Sequence, residues 1–106
     1  MDISLYSGDS RNLIINVVDE NSNVINLTNA TIEWILINQN STILSKSVGE
    51  GITITNPTNG QFKIEIAITE TKNLAGDYEH MARVITANGD SSIVFTGKIT
   101  IQPSLI

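Results

Sequence analysis

The stretch Asn73-Leu74-Ala75-Gly76-Asp77-Tyr78 constrains the fold of this chain more than any other. Leu74, Gly76 and Tyr78 spell Leu-x-Gly-x-Tyr just before a strand-like run. This pattern is typical of a tyrosine corner, which pins the crossing between the two sheets of a Greek-key sandwich. In that interpretation Gly76 takes a backbone conformation that side chains resist, Leu74 is buried, and the Tyr78 hydroxyl returns to an upstream carbonyl. The role predicted for all three residues is structural.

Runs that alternate apolar and polar residues recur along the chain between turn clusters, and a period of two predicts strands. Trp34 lies near the middle of a long run, where an immunoglobulin-like core often keeps its largest side chain. One helical turn is expected over residues 69–74, with Thr69 as its cap. The predicted strands span residues 3–6, 11–18, 30–38, 43–48, 52–55, 61–68, 78–87 and 92–101.

These seven to eight strands fit a single all-β domain over residues 1–106, an immunoglobulin-like Greek-key β-sandwich of antiparallel strands. Within it, residues 43–48 are expected to form an edge strand. In the last strand, Ile93 and Phe95 are expected to point inward, and Gly97 to mark a bulge.

Composition excludes several classes of function. Only 16% of residues are charged, the net charge is −5, and the six basic residues form no run. Nucleic-acid binding and docking on anionic membranes are therefore not expected. The absence of cysteine removes disulfides and thiolate metal sites. No signal peptide and no membrane-spanning apolar run are recognisable.

Candidate chemistry is sparse. His80 is the only histidine, and its neighbour Glu79 points to the opposite face of the strand, so acid–base catalysis has no placed partner. Asp19, Asn21 and Asn23 have the spacing that begins a calcium loop, but the loop glycine and the final glutamate are missing, which favours a solvated turn. We expect no catalytic residues, no cofactor and no metal site, and hence no enzyme.

One feature points to binding. If the strands that carry Trp34, Tyr78 and Phe95 lie side by side, their outward residues form an apolar face, and a monomer rarely exposes a large one without a reason. The alternative is that these positions are scattered, or that the register slips by one residue. The predicted interface residues are Ile35, Ile37, Met81, Ile85 and Val94.

Several segments together resemble a known family. These are Gly8-Asp9-Ser10, the polar turn at 19–23, the run Asn26-Leu27-Thr28-Asn29-Ala30-Thr31-Ile32, the Asn59-Gly60 turn, and residues 69–78 with the corner. The chain resembles the immunoglobulin-like domain of tailed-phage virion proteins, and most closely the N-terminal domain of phage baseplate upper proteins. The resemblance implies a structural role and carries over no catalytic residue.

In baseplate upper proteins this domain precedes a stalk or a receptor-binding segment, whereas this sequence stops at Ile106. The resemblance therefore implies an auxiliary, or decoration, protein made in the host cytoplasm and located on the capsid surface of the virion. The expected partners are the major capsid protein or other virion proteins. Association between copies of this chain also fits this role. A tail, collar or baseplate component remains an alternative. So does a carbohydrate-binding module, which would require exposed aromatic side chains.

Overall fold

The computed structural model describes all residues from Met1 to Ile106, and strands dominate it. The prediction of an all-β chain is confirmed. A 3₁₀ turn spans Pro57–Asn59, and the helix α1 has four residues, Ile68–Thr71. The strands are β1 (Ile3–Tyr6), β2 (Arg11–Asn16), β3 (Thr31–Asn38), β4 (Ser41–Val48), β5 (Gly51–Asn56), β6 (Gln61–Ile66), β7 (Gly76–Ile85) and β8 (Ser91–Gln102).

The eight strands form one curled sheet in the order β1-β8-β7-β3-β4-β5-β6-β2. The prediction that all strands are antiparallel is wrong, because β1 pairs with β8 and β4 with β5 in parallel. The β4–β5 contact covers only two residue pairs. Between these strands the backbone has positive φ at Gly49 and Gly51. The chain is displaced laterally there, and β5 runs in the same direction as β4. β4 is thus an edge strand along most of its length.

The inward faces follow the predicted period of two. Alternate residues of β2, β3, β6 and β7 are buried, whereas their neighbours are mostly exposed or half-buried. Eighteen buried apolar residues from both halves of the sheet form one cluster, with Trp34 and Phe62 as its largest members. The core therefore lies inside the curl, and one outer face of each strand remains available to solvent or to partners.

The predicted corner is present at the start of β7. The Tyr78 hydroxyl donates to the Ala75 carbonyl at 3.0 Å and accepts from the Ala75 N–H at 3.2 Å, while its ring is buried. Gly76 has a φ of +111°, which a residue with a side chain rarely adopts. Leu74 is half-buried and packs against the core. The corner thus fixes which face of β7 points inward.

The helical turn begins earlier than predicted. Strand β6 ends at Ile66, and Ile68, which the period-two pattern placed in a strand, opens α1 with 57% of its surface exposed. Thr69 is not the cap. Instead the Glu70 carboxylate accepts the Ala67 N–H at 2.9 Å, and this bond satisfies a free donor at the helix start. The buried Thr71 hydroxyl donates to the Asp9 carbonyl at 2.7 Å, so α1 also anchors the β1–β2 loop.

Gly97 is not a bulge; it pairs regularly with His80. The bulge lies instead at Val94, where the register between β7 and β8 shifts by one residue. Gly97 is required for another reason, because the Met1 carbonyl oxygen occupies the space where a Cβ of residue 97 would be. The first residue of the chain thus lies directly against β8.

Candidate functional site

Strands β3, β7 and β8 present three rows of outward residues. The pairing places Ile35 beside Met81 and Met81 beside Thr96 in the central row. One flanking row holds Glu33, Arg83 and Ile93, and the other holds Ile37, Glu79 and Lys98. We call the surface formed by Glu33, Ile35, Met81, Arg83 and Ile93 the Met81 face.

Two predictions about β8 are wrong, and the bulge explains both. Val94 was expected on the outer face, but it packs against the core. Ile93 was expected to point inward, but it pairs with the exposed Arg83 and is itself 43% exposed. One extra residue in a strand reverses the facing of every residue beyond it. Ile93 therefore replaces Val94 in the predicted outward set.

The other four predicted interface residues lie on the outer face but do not form one patch. Ile35 and Met81 are cross-strand partners and, with Ile93, line a shallow cleft of about 160 Å³. Ile37 follows Ile35 along β3, opposite Glu79. Ile85 is separated from Met81 by Arg83 along β7. All four side chains are half-buried. The apolar surface is therefore a short stripe that consists of Ile35, Met81 and Ile93.

Charged residues of both signs border this stripe. Glu33 is the cross-strand neighbour of Arg83, and Glu79 is the neighbour of Lys98. The Arg83 guanidinium also donates to the Ser91 hydroxyl at 2.8 Å. An apolar centre within a polar rim is the composition of a protein–protein interface.

Beneath the Met81 face lies the one histidine. His80 is completely buried, and its Nδ1 accepts the Trp34 indole N–H at 3.1 Å. Its Nε2 lies 2.7 Å from the Met1 carbonyl and, because Nδ1 is the acceptor, Nε2 carries the proton and donates it there. Phe95 packs on the ring at a centroid distance of 5.1 Å. Both ring nitrogens are thus occupied within the protein.

This environment keeps the imidazole neutral. Burial lowers the pKa of His80 from its ordinary value of 6.5, and the positive N-terminal amine lowers it further. The hydrogen bond to the Met1 carbonyl and the charge of Asp2 act in the opposite direction and do not compensate. The Met1 amine is held in place by donating to the Thr96 carbonyl at 2.7 Å. His80 thus joins β3, β7 and the N-terminus within the core.

The remaining clefts carry little chemistry. A shallow cleft of about 420 Å³ lies between the β3–β4 turn and the start of β7, and its lining is mostly polar. In the turn that was compared with a calcium loop, the Asp19 carboxylate accepts the N–H groups of Asn21 and Asn23, both at 2.9 Å. No three histidine, aspartate or glutamate side chains converge as metal ligands would. Trp34 and Tyr78 are buried, whereas Tyr6 is 53% exposed.

Sequence reasoning missed one buried ion pair. Lys46 pairs with Trp34 across β3 and β4, and its ammonium contacts both Glu70 carboxylate oxygens, at 2.8 and 2.7 Å. The Lys46 side chain is only 8% exposed. The available signal was that Lys46 shares a face of β4 with Leu44, which packs against the core. Its partner could not be found, because Glu70 lies 24 residues away on another element.

Neither helical element has the length or the apolar run that a membrane crossing requires. No protein-family model matches the chain, and a search of curated proteins finds no match.

Proposed function

We propose that the curled sheet is an immunoglobulin-like Greek-key sandwich with the layers β1-β8-β7-β3-β4 and β5-β6-β2. The narrow β4–β5 contact divides the strands in this way, and both groups contribute to one core. The tyrosine corner stands at the start of β7, as it does near the start of the corresponding strand of immunoglobulin domains. His80 follows Tyr78 by two residues and contacts Trp34. In antibody domains the residue two positions after the corner tyrosine is the second cysteine of a disulfide, and this disulfide packs on the core tryptophan.

The function proposed for this sandwich is that of a non-enzymatic structural protein of a tailed-phage virion. In this proposal it is an auxiliary capsid protein that docks on the major capsid shell. The resemblance of its turns and corner to phage virion domains supports the assignment. The observation that carries the docking mechanism is the Met81 face, where Ile35, Met81 and Ile93 form an apolar stripe beside the cross-strand pair Glu33 and Arg83.

Docking would work by surface complementarity. Burial of apolar side chains contributes roughly 25 cal/mol per Å² removed from water. The charged rim orients the encounter and rejects wrong partners more than it adds affinity. A protein that binds only the assembled shell stabilises that shell by mass action, because its binding free energy is lost when the shell comes apart.

The first test is the location and copy number of the protein in virions of the phage that encodes it. Quantitative mass spectrometry should give hundreds of copies per particle, and electron microscopy should show density on the capsid surface. A dozen copies or fewer, located in the tail, collar or baseplate, would contradict a decoration role and support that alternative. Binding to a glycan array without any association with virions would support a carbohydrate-binding module instead.

The second test concerns the Met81 face itself. Ile35→Lys should reduce co-sedimentation with purified shells at least tenfold, since a buried charge replaces a central apolar contact. Thr53→Lys is the matched control, because Thr53 is exposed on β5, outside the Met81 face, and the change adds the same charge. Equal binding of both variants, with both folded by circular dichroism, would overturn the assignment of this face.

A further inference from the structure

The free edge of β2 has unpaired backbone groups. The Val17 N–H, just beyond β2, donates to the Gly60 carbonyl at 2.8 Å. In an antiparallel ladder the direction of these groups alternates, so those of Asn12, Ile14 and Asn16 point away from β6. The backbone N–H and C=O groups of these three residues form no hydrogen bond with any backbone or side-chain group of the chain.

The segment that follows β2 does not cover this edge. The Asp19 N–H donates to the Asn23 carbonyl at 2.8 Å, and the Ile25 N–H donates to the Val17 carbonyl at 3.2 Å. These bonds place the returning chain on the same side as β6. Val18, which continues the open side, is 52% exposed.

The opposite edge of the sheet is protected, in contrast. β1 has only four residues, and the Asp9 carboxylate caps the Tyr6 N–H at 2.9 Å. Proteins also protect edges with bulges, prolines or charges that point inward. β2 has none of these, since it pairs with β6 without a register shift and its only charged residue, Arg11, stands at its first position.

The sequence of β2 is self-complementary. Residues 12–16 read Asn-Leu-Ile-Ile-Asn, which is chemically symmetric about Ile14. If a second copy pairs antiparallel across a two-fold axis at Ile14, Ile14 meets its own copy and Asn12 meets Asn16. The half-exposed Ile14 side chains then contact each other, and the amides of Asn12 and Asn16 face each other. Such a pairing forms about six N–H···O bonds, two for each hydrogen-bonded pair.

Charged residues stand only at the ends of this pairing, because residues 12–16 carry no charge. The two Arg11 residues would stand about 20 Å apart along the strands. Arg11 already has Asp9 as an ion-pair partner at 3.8 Å. Asp9, Asp19 and Glu20 flank β2 and would repel the matching residues of the second copy at the two ends of the pairing, a repulsion that salt screens beyond about 8 Å.

We propose that β2 is a homotypic docking edge through which two copies of this chain join their sheets about a two-fold axis at Ile14. The inference does not depend on the proposed function, because it uses a different strand from the Met81 face. A single six-residue strand pair buries less than a standard interface of about 1,600 Å², so the dimer is weak in dilute solution. A two-fold contact also closes on itself and gives dimers rather than fibres.

Cysteine cross-linking tests the register directly, because the chain contains no cysteine. Ile14→Cys should form a disulfide-linked dimer under mild oxidation, since hydrogen-bonded antiparallel partners have Cα atoms about 5.5 Å apart, within disulfide range. Asn12→Cys alone should stay monomeric, because the two copies of residue 12 lie about 14 Å apart. The double variant Asn12→Cys with Asn16→Cys should cross-link again. No dimer from Ile14→Cys, or equal dimer from Asn12→Cys, would overturn the proposal.

Sedimentation equilibrium tests the contact without cross-linking. At about 0.5 mM the unmodified chain should show a concentration-dependent dimer, as expected for an interface of this size. Ile14→Pro removes an N–H that points away from β6, so it should weaken dimerisation at least tenfold and leave the β2–β6 ladder intact. Ile14→Thr keeps the N–H and should still dimerise. A monomeric unmodified chain, an unchanged dimer of folded Ile14→Pro, or open-ended fibres would each contradict the proposal.

Discussion

At the scale of single residues, His80 is held at both of its ring nitrogens. A neutral imidazole must accept the Trp34 N–H and donate to the Met1 carbonyl at the same time. Protonation would turn the acceptor into a second donor and leave two donors facing each other inside the core. Such a buried mismatch costs on the order of 1–3 kcal/mol.

We predict that the protein loses stability as the pH falls below about 6.5, the ordinary pKa of histidine. The folded pKa is lowered, so the contribution of His80 is fully present above 6.5 and is lost as the pH falls toward the folded pKa. The slope cannot exceed about 1.4 kcal/mol per pH unit for one group. Thermal unfolding followed by circular dichroism between pH 7.5 and pH 5 measures it.

His80→Gln is the control for this prediction, because glutamine can accept and donate but does not titrate. Its melting temperature should change less over the same pH range. If the unmodified chain and His80→Gln show the same pH dependence, His80 is not the group responsible.

At the scale of elements, α1 is too short to be stable alone and is held by its contacts. Burial by itself raises the pKa of the Glu70 carboxyl. The hydrogen bonds from Lys46 and from the Ala67 N–H, with the charge of Lys46, outweigh burial, so this pKa lies below its ordinary value of 4.5. Glu70 thus caps α1 and joins it to β4.

We predict that Glu70→Gln lowers the free energy of unfolding by about 1–3 kcal/mol at pH 7, because it leaves the buried Lys46 charge without an opposite charge. Urea denaturation measures the change. The loss should shrink as the pH falls below 4.5, because Glu70 of the unmodified chain takes up a proton first in the unfolded state and then, at its lowered pKa, in the folded state. Glu65→Gln is the matched control. It removes the Lys63–Glu65 pair, which is more exposed than the Lys46–Glu70 pair, and should cost less than about 1 kcal/mol. Equal losses in the two variants would contradict the structural role of Glu70.

Sequence patterns predicted the strands and turns well wherever nearby residues along the chain determine them. The corner at Leu74, Gly76 and Tyr78 and the inward residues of β3 and β7 follow from turn residues and from a period of two. The predicted facing of Val94 and Ile93 was reversed, because the bulge that sets it depends on the partner strand and leaves no mark in the sequence. The Met1–His80 contact was equally invisible, because it joins residues 79 positions apart.

At the scale of the whole molecule, the chain is elongated, with extents of 45 × 24 × 21 Å. Its weakest lateral connection is the β4–β5 contact of two residue pairs. β7, by contrast, pairs along most of its length with β3 on one side and β8 on the other. Cooperative opening should therefore begin at β4 and β5.

We predict that backbone amides of residues 48–51 exchange hydrogen at least a hundredfold faster than those of residues 80–84, because few bonds must break to expose them. Native-state hydrogen exchange followed by nuclear magnetic resonance measures both sets in one sample. Uniform protection across the two sets would show that the sheet opens only as a whole.

The indole–imidazole contact has one further consequence. Trp34 is the only tryptophan, it is completely buried, and its N–H is bonded to a group that can take up a proton. A charged imidazole beside an indole alters its emission, so the intrinsic fluorescence of this protein reports on one defined pair of atoms at the centre of its core. The molecule thus contains its own optical probe, without any added label.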